Sequence, residues 1–425
     1  MPEIYCQFGI LVKNRETNFF KRDANMKLVV AIEHHFVETG GRIYTALSFG
    51  YEYWKEYLEV FDEVYVLARV GYSDVIPKNH FVADGPGVKF IYIPDYFGIW
   101  QFLLHLPGMF AASFRSARLG TCFILRSGNV CTVLWLCLKL LGKPYSREVQ
   151  GHIKEGITQF TRYNYPLIGK FIALFSDYLA RAQAKGAFCA SYVSQFCRRL
   201  YPTKNPDREF VFSSVRLTKD LLRGSRSEND FKHELFNILS IGRMELEKGH
   251  CVLLEAASNL RKRDIKDWQM KIVGGGRQLD PLRDKVKKLG LGSYVEMVGP
   301  VEYGEQLFKY LDAADLFVLP SLTEGMPRSL IEAMARGLPA VGSGTGGIVE
   351  LLSDSQLVPP GNPLLLAEAI ANRIGQFDKL AEDSRKNFKK VSTDYNQERM
   401  RQLKLAYWQT VVAGPKKVSV ESSSK

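Results

Sequence analysis

The feature that most constrains the fold is a double series of short apolar runs, broken once by a polar stretch. Lys27–Ile32, Val64–Ala68, Phe90–Ile93, Cys122–Leu125, Tyr145–Val149, Ala187–Ala190 and Phe210–Phe212 form the first series, separated by helical or loop sequence. Leu222–Asp230, rich in Arg, Ser, Asn and Asp, then leads to a second: Asn237–Ile241, Gln269–Val273, Val295–Val298, Leu316–Leu319 and Pro339–Val341. Short apolar runs alternating with helix-length spacers predict parallel strands covered on both faces. At 425 residues the chain exceeds one ordinary domain of about 150 residues. The expected fold class is therefore α/β, with two Rossmann-like domains facing a central cleft. No 20 to 50 residue repeat points to a solenoid.

Chemistry concentrates in the second series. Leu316–Pro320 reads as a strand, Glu324-Gly-Met-Pro-Arg-Ser-Leu-Ile-Glu332 as the loop and helix start after it, and Gly337 as the helix stop. Pro327 suits a first helical turn, and the free amides that follow it suit an anion. Ile238–Gly242 is another strand running into a loop with two cations, Arg243 and Lys248, closed by Gly249. One loop offers amides and carboxylates for hydroxyls, and the other offers cations for a diphosphate. Such loops lie at the carboxyl ends of parallel strands, where open α/β sheets bind ligands. Together they predict a nucleoside diphosphate sugar site. Taken alone, Glu324 and Glu332 also fit a helix cap and an exposed first-turn acid.

Gly242-Arg243 with Lys248-Gly249, Ile272-Val-Gly-Gly-Gly276, Val298-Gly299, Asp312-Ala-Ala-Asp315, the Glu324/Glu332 pair and Gly337-Leu-Pro339 span roughly residues 236–352. In order and spacing this set resembles retaining glycosyltransferases of the GT-B fold, family 4. The resemblance implies that Arg243 and Lys248 hold the donor diphosphate, that Glu332 accepts from the ribose hydroxyls, and that Glu324 lies nearer the transferred sugar. Gly325, Met326, Pro327, Arg328, Ser329 and Leu330 would line diphosphate and sugar. Gly274, Gly275 and Gly276 would let the main chain approach the nucleotide, and Gly242 belongs with Gly274 and Gly275 to the expected donor contacts; a glycine cluster after a strand also fits a plain tight turn. In the first domain, Gly40 and Gly41, in a loop expected to open a helix near Ile43, match the family's glycine loop under the donor. His152, after the strand ending at Val149, is a candidate catalytic contact to sugar or acceptor, and equally fits an ordinary loop residue; Glu148 fits a structural ion pair.

The resemblance further implies a front-face path in which the departing phosphate takes the acceptor's proton. No cofactor beyond the UDP-, GDP- or ADP-sugar donor and no metal is expected, the two cations standing in for one. A last helix, Asn396–Trp408, is expected to cross back onto the first domain. The expected organisation is an unstructured extension over 1–25, a first, acceptor-binding domain over 26–220, a nucleotide-sugar domain over 221–395, a crossover helix over 396–412 and a flexible tail over 413–425.

Charge refines the partner class. Residues 101–220 hold 17 Lys and Arg against 6 Asp and Glu, an excess of 11 within the chain's +12. These cations interleave with Ile99–Leu106 and Phe171–Tyr178, which fit either an anionic lipid interface or the core faces of helices. Val130–Leu141 is too short, at about 12 residues, to span a bilayer, which takes about 20. No nucleic-acid module is present. Seven cysteines without paired spacing fit buried thiols in a reducing cytosol, and no secretory signal pattern opens the sequence. The expected acceptor is lipid-linked or a glycan, as in cell-surface polysaccharide synthesis at the inner face of the membrane. Other nucleotide-sugar chemistry, such as an epimerase or sucrose-type synthase, and a non-catalytic nucleotide-sugar binder are the alternatives.

Overall fold

The computed structural model describes residues 25–46, 49–77, 80–161, 166–215, 217–263, 265 and 267–415. Residues 1–24 of the expected extension and 416–425 of the expected tail lie outside them.

Among the described residues the strands form two sheets. The first contains β1 (Lys27–Thr39), β2 (Arg42–Thr45), β3 (Glu63–Tyr72), β4 (Phe81–Val82), β5 (Val88–Pro94), β6 (Cys122–Leu125), β7 (Ser146–Val149), β8 (Cys189–Tyr192) and β9 (Glu209–Val211). Its parallel part runs β5-β3-β1-β6-β7-β8-β9. The second contains β10 (Phe236–Ile241), β11 (Trp268–Val273), β12 (Val295–Gly299), β13 (Leu316–Leu319), β14 (Ala340–Ser343) and β15 (Leu357–Val358), in the all-parallel order β12-β11-β10-β13-β14-β15. Strand order therefore reverses twice, between β1 and β6 and between β10 and β13, and each reversal opens a crevice at the strands' carboxyl ends.

One expectation fails at the first strand. Gly40 and Gly41 do not lead into a helix. Both have positive φ, +58° and +76°, and form the two-residue turn of a hairpin in which β2 returns antiparallel to β1. Two successive left-handed residues match the twist of paired strands, a conformation that glycine adopts without penalty. The first helix after it is the short Tyr51–Lys55.

Both faces of each sheet are packed. Leu253, Leu254, Met270 and Leu316 sit in one core of the second domain, and Leu330, Ile331, Met334 and Phe317 in the other. Val215, Leu217 and Leu221 also pack into that second core. The last helix, Gln397–Ala413, is capped by Asn396, whose side chain accepts from the Arg399 amide. It crosses back as expected: Tyr407, Trp408 and Val411 are buried with Trp54, Tyr57 and Val64 of the first domain, and the Trp408 ring lies 4.4 Å from that of Tyr57. The cysteines Cys122, Cys131, Cys137 and Cys189 are buried and unbridged.

Candidate active site

The reversal between β10 and β13 gathers the second-domain motifs into one place. The loop after β10 carries Gly242, Arg243 and Lys248, and the loop after β13 carries Ser321 and Glu324. They meet because Gly249, at φ +67°, has no side chain: a Cβ there would lie 2.0 Å from the Pro320 carbonyl oxygen. The Leu322 amide donates to the Glu247 carbonyl at 2.8 Å and fixes the register. Across this seam Lys248 Nζ stands 2.6 Å from Glu324 Oε1, which also accepts from Ser321 Oγ at 2.9 Å. Both partners are largely buried, at 18% and 8% exposure, so neither is loosely solvated. Arg243 is exposed and pairs with Glu247 at 3.0 Å.

The glycine triplet of the third loop has a packing role. At Gly274 a Cβ would lie 1.9 Å from the Gly242 carbonyl, and at Gly276 2.6 Å from that of Met244. The Met244 amide donates to the Gly275 carbonyl. These glycines let the loops after β10 and β11 lie against each other.

Pro327 precedes the helix Arg328–Ala335 as its capping residue, with no side-chain cap, so the first amides keep no intrahelical partner. Glu332 sits one turn in. Burial pushes its carboxyl up to about 7, against the opposing charge of Arg328. The Leu330 side chain belongs to the core, leaving only its main chain for a ligand.

Sequence reasoning missed the floor beneath Glu324. After β14 the chain runs Gly344-Thr-Gly-Gly347; a Cβ at Gly346 would lie 1.9 Å from the Glu324 carbonyl and one at Gly347 2.4 Å from that of Gly325. A glycine run directly after a strand was the available signal. Ser321 and His250, both fully buried beside the cluster, left no such signal.

The first domain closes over this floor. A Cβ at Gly325 would lie 2.3 Å from the Gln150 carbonyl, and the Glu350 carboxylate accepts from the amides of Gln195 and Phe196 at 2.9 and 2.6 Å. His152 follows Gln150 at this boundary, its Nδ1 3.4 Å from Glu155 and its ring edge-on to Phe196. Burial lowers its pKa. Glu148 is a structural partner: Arg126 Nε lies 3.3 Å away and Tyr57 donates to it at 3.3 Å. Gly40 and Gly41 are not drawn into the cluster by any contact; their Cβ positions face open space and Arg42 beside them pairs with Asp84. Asp312 and Asp315 are likewise committed elsewhere, Asp312 to Arg223 and Arg336, Asp315 to His233 and the Asn237 amide.

Similarity to known proteins fits this geometry. Residues 224–391 match the family of glycosyl transferases group 1. Over 84% of its length the chain is 25% identical to Protein CapJ of Staphylococcus aureus, covering 88% of that protein. It is 37% identical to the amylovoran biosynthesis glycosyltransferase AmsK of Erwinia amylovora over 35% of the chain, and 30% identical to a colanic acid biosynthesis glycosyltransferase, WcaL, of Salmonella typhimurium over 41%. Those two matches span only 38% and 45% of the relatives' own lengths. Among solved structures, sucrose-phosphate synthase from Thermosynechococcus elongatus superposes with a TM-score of 0.65 at 19% identity, covering 91% of this chain and all of that one. Anabaena HepE in complex with UDP and glucose gives 0.62 at 17%, with the same coverage. The fold is GT-B, and its second domain carries the glycosyl transferases group 1 match.

Proposed function

We propose that the protein is a retaining, metal-independent glycosyltransferase of family 4 that moves a sugar from a nucleoside diphosphate sugar to a lipid-linked or glycan acceptor in cell-surface polysaccharide synthesis. The observation that carries this reading is the Lys248–Glu324 pair at the β10/β13 reversal, flanked by the uncapped helix start at Arg328 and by Glu332. The relatives AmsK and WcaL, named for amylovoran and colanic acid biosynthesis, support the polysaccharide setting.

In this reading the helix amides and Arg243 receive the diphosphate and Glu332 accepts from the ribose. Lys248, released from sole pairing with Glu324, meets the phosphate charge that grows as the sugar–phosphate bond breaks. The acceptor oxygen attacks the same face, and its proton passes to the departing phosphate oxygen. Glu324, held by Lys248 and Ser321, is placed for the sugar hydroxyls, and His152 for sugar or acceptor. The two cations supply the charge stabilisation that a metal supplies in other transferases.

A peripheral membrane contact is part of the proposal. On the helix Gly98–Leu119, Trp100 and Leu104 are 81% and 74% exposed; on Pro166–Gly186, Phe171, Phe175 and Tyr178 are exposed. They lie within the basic region 101–220 or at its edge, the combination that binds anionic lipid. No helix of the described residues is long and apolar enough to cross a membrane. The test is product analysis. Retained anomeric configuration by NMR, with turnover indifferent to EDTA, is the expected result; inversion or EDTA-sensitive turnover contradicts it. Product formed from the donor alone would indicate an epimerase, and transfer to a free soluble sugar a sucrose-type synthase.

A further inference from the structure

One short helix of the first domain joins His152 to the donor side. Gln195–Leu200 follows β8 and is capped by Ser194, whose Oγ accepts from the Cys197 amide. The amides of Gln195 and Phe196, in its first turn, have no partner within the helix. Both donate instead to Glu350 of the second domain, Gln195 to Oε2 at 2.9 Å and Phe196 to Oε1 at 2.6 Å. A carboxylate that takes one amide on each oxygen fixes direction as well as distance.

The same helix holds the loop that carries His152. The Phe196 ring lies edge-on to the imidazole, with centroids 5.9 Å apart. Tyr201, which closes the helix, accepts from the Ile153 amide at 3.1 Å and donates to Asp177 at 2.7 Å. On the other side, Glu350 stands in the helix Ile348–Leu351, whose Ile348 and Leu351 are buried in the core with Leu330 and Ile331. That helix directly follows Gly346 and Gly347, the floor beneath the Glu324 and Gly325 carbonyls. A continuous run of packed contacts therefore leads from the donor loop through Glu350 to His152.

We propose that Glu350 is a positioning residue for sugar transfer: by holding the start of the helix Gln195–Leu200, it sets His152 at a fixed distance from the donor loop. This rests on the nucleotide-sugar reading above. In that reading second-domain groups hold the donor diphosphate, so loosening the tie leaves donor affinity intact. What it costs is the alignment of acceptor and sugar, where a misplacement of about 1 Å is felt in the rate.

The experiment is steady-state transfer, with membranes as acceptor source, and calorimetric titration with UDP, GDP and ADP, on wild type, Glu350→Gln, Gln195→Pro and the double variant. Glu350→Gln keeps the size of the side chain but turns an NH2 donor toward one of the two amides. Gln195→Pro removes a hydrogen bond from the opposite side, at the first helical position and after an extended Ser194 (φ −154°, ψ 159°), where proline is tolerated. We expect each single variant to lower kcat about 10- to 100-fold, with nucleoside diphosphate affinity within about twofold of wild type. The double variant should be no slower than the slower single one, because both cut the same tie. Hydrogen exchange over Gln195–Leu200 should quicken about tenfold or more in Glu350→Gln, with no change over Arg328–Ala335. Should Gln195→Pro melt below the assay temperature, Glu350→Gln and its exchange decide. Unchanged transfer in Glu350→Gln, an equal loss of diphosphate affinity, or losses that multiply in the double variant overturns the proposal alone. Wild type that binds none of the three diphosphates, or binds one and transfers no sugar, overturns the nucleotide-sugar transfer reading and this proposal with it.

Discussion

The two sheets reverse strand order in the same way and use the resulting crevices oppositely. At the β1/β6 reversal the crevice is filled from within. Glu33 reaches the start of the helix Asn129–Leu140, accepting from the Val130 amide at 2.9 Å, and is held by Arg69 at 3.2 Å and the Tyr96 hydroxyl at 2.5 Å. Gly128, at φ +97°, is tight against it, since a Cβ there would lie 2.2 Å from that of Glu33. The first domain thus satisfies its own helix start with a carboxylate. At the β10/β13 reversal no side chain caps the helix Arg328–Ala335, and the carboxylate that might have done so, Glu324, is drawn aside by Lys248 and Ser321. Topology alone does not make an anion site. What decides is whether the chain brings its own acid to the helix end.

Perturbing the second crevice should therefore cost catalysis, and perturbing the first should cost stability. The largest effect is expected from Lys248→Ala: transfer falls about 100- to 1000-fold in kcat/KM, the scale of losing one preorganised charge at a developing anion. Gly346→Ala comes next. Its Cβ would collide with the Glu324 carbonyl at a backbone conformation of φ +54°, so nucleoside diphosphate affinity should drop at least about tenfold by titration. In the first crevice, Glu33→Gln should lower unfolding free energy by about 1–3 kcal/mol in urea melts while leaving donor affinity unchanged. A loss of donor affinity equal to that of Gly346→Ala would break the contrast.

Glu332 sharpens it through pH. Burial holds its carboxyl's pKa up at about 7, and in the proposed reading ribose hydroxyls donate to the ionised form. Binding then releases a proton, so affinity should rise with pH between about 5 and 7, by up to about tenfold per unit, and level off above. Glu332→Gln keeps only the slope that phosphate titration gives, so the slope should be shallower in that variant and the difference isolates the Glu332 proton. The smallest effect is expected at the hairpin tip: Gly41→Ala costs about 1–2 kcal/mol of left-handed strain but leaves donor binding within twofold. A collapse of binding there would restore the glycine loop that the resemblance implied.

The contrast also explains what was legible. β6 and β13 were readable residue for residue, as Cys122–Leu125 and Leu316–Leu319, because buried parallel strands are unbroken apolar runs. That the loops after β10 and β13 would lie side by side, which brings Lys248 against Glu324, was readable because both are strand-end motifs of local sequence. β1 was read six residues long and runs to Thr39, since His34 and His35 broke the apolar pattern where a register shift carries the strand on into its hairpin. Gly40-Gly41 was misread because a glycine pair signals left-handed backbone without saying whether strand or helix follows. Glu33 and Glu350 were invisible for another reason: each acts through a partner about 100 to 150 residues away, which only the folded chain reveals.

The central claim, that the second crevice is a nucleotide-sugar transfer site, is tested most directly by nucleoside diphosphate release. UDP-, GDP- and ADP-sugars would be offered with membranes as acceptor source to wild type, Lys248→Ala, Glu332→Ala and Glu33→Gln. The account predicts acceptor-dependent release from one donor, lost in Lys248→Ala and Glu332→Ala and kept in Glu33→Gln. Release that survives both second-domain substitutions, or that disappears only with Glu33→Gln, would contradict it.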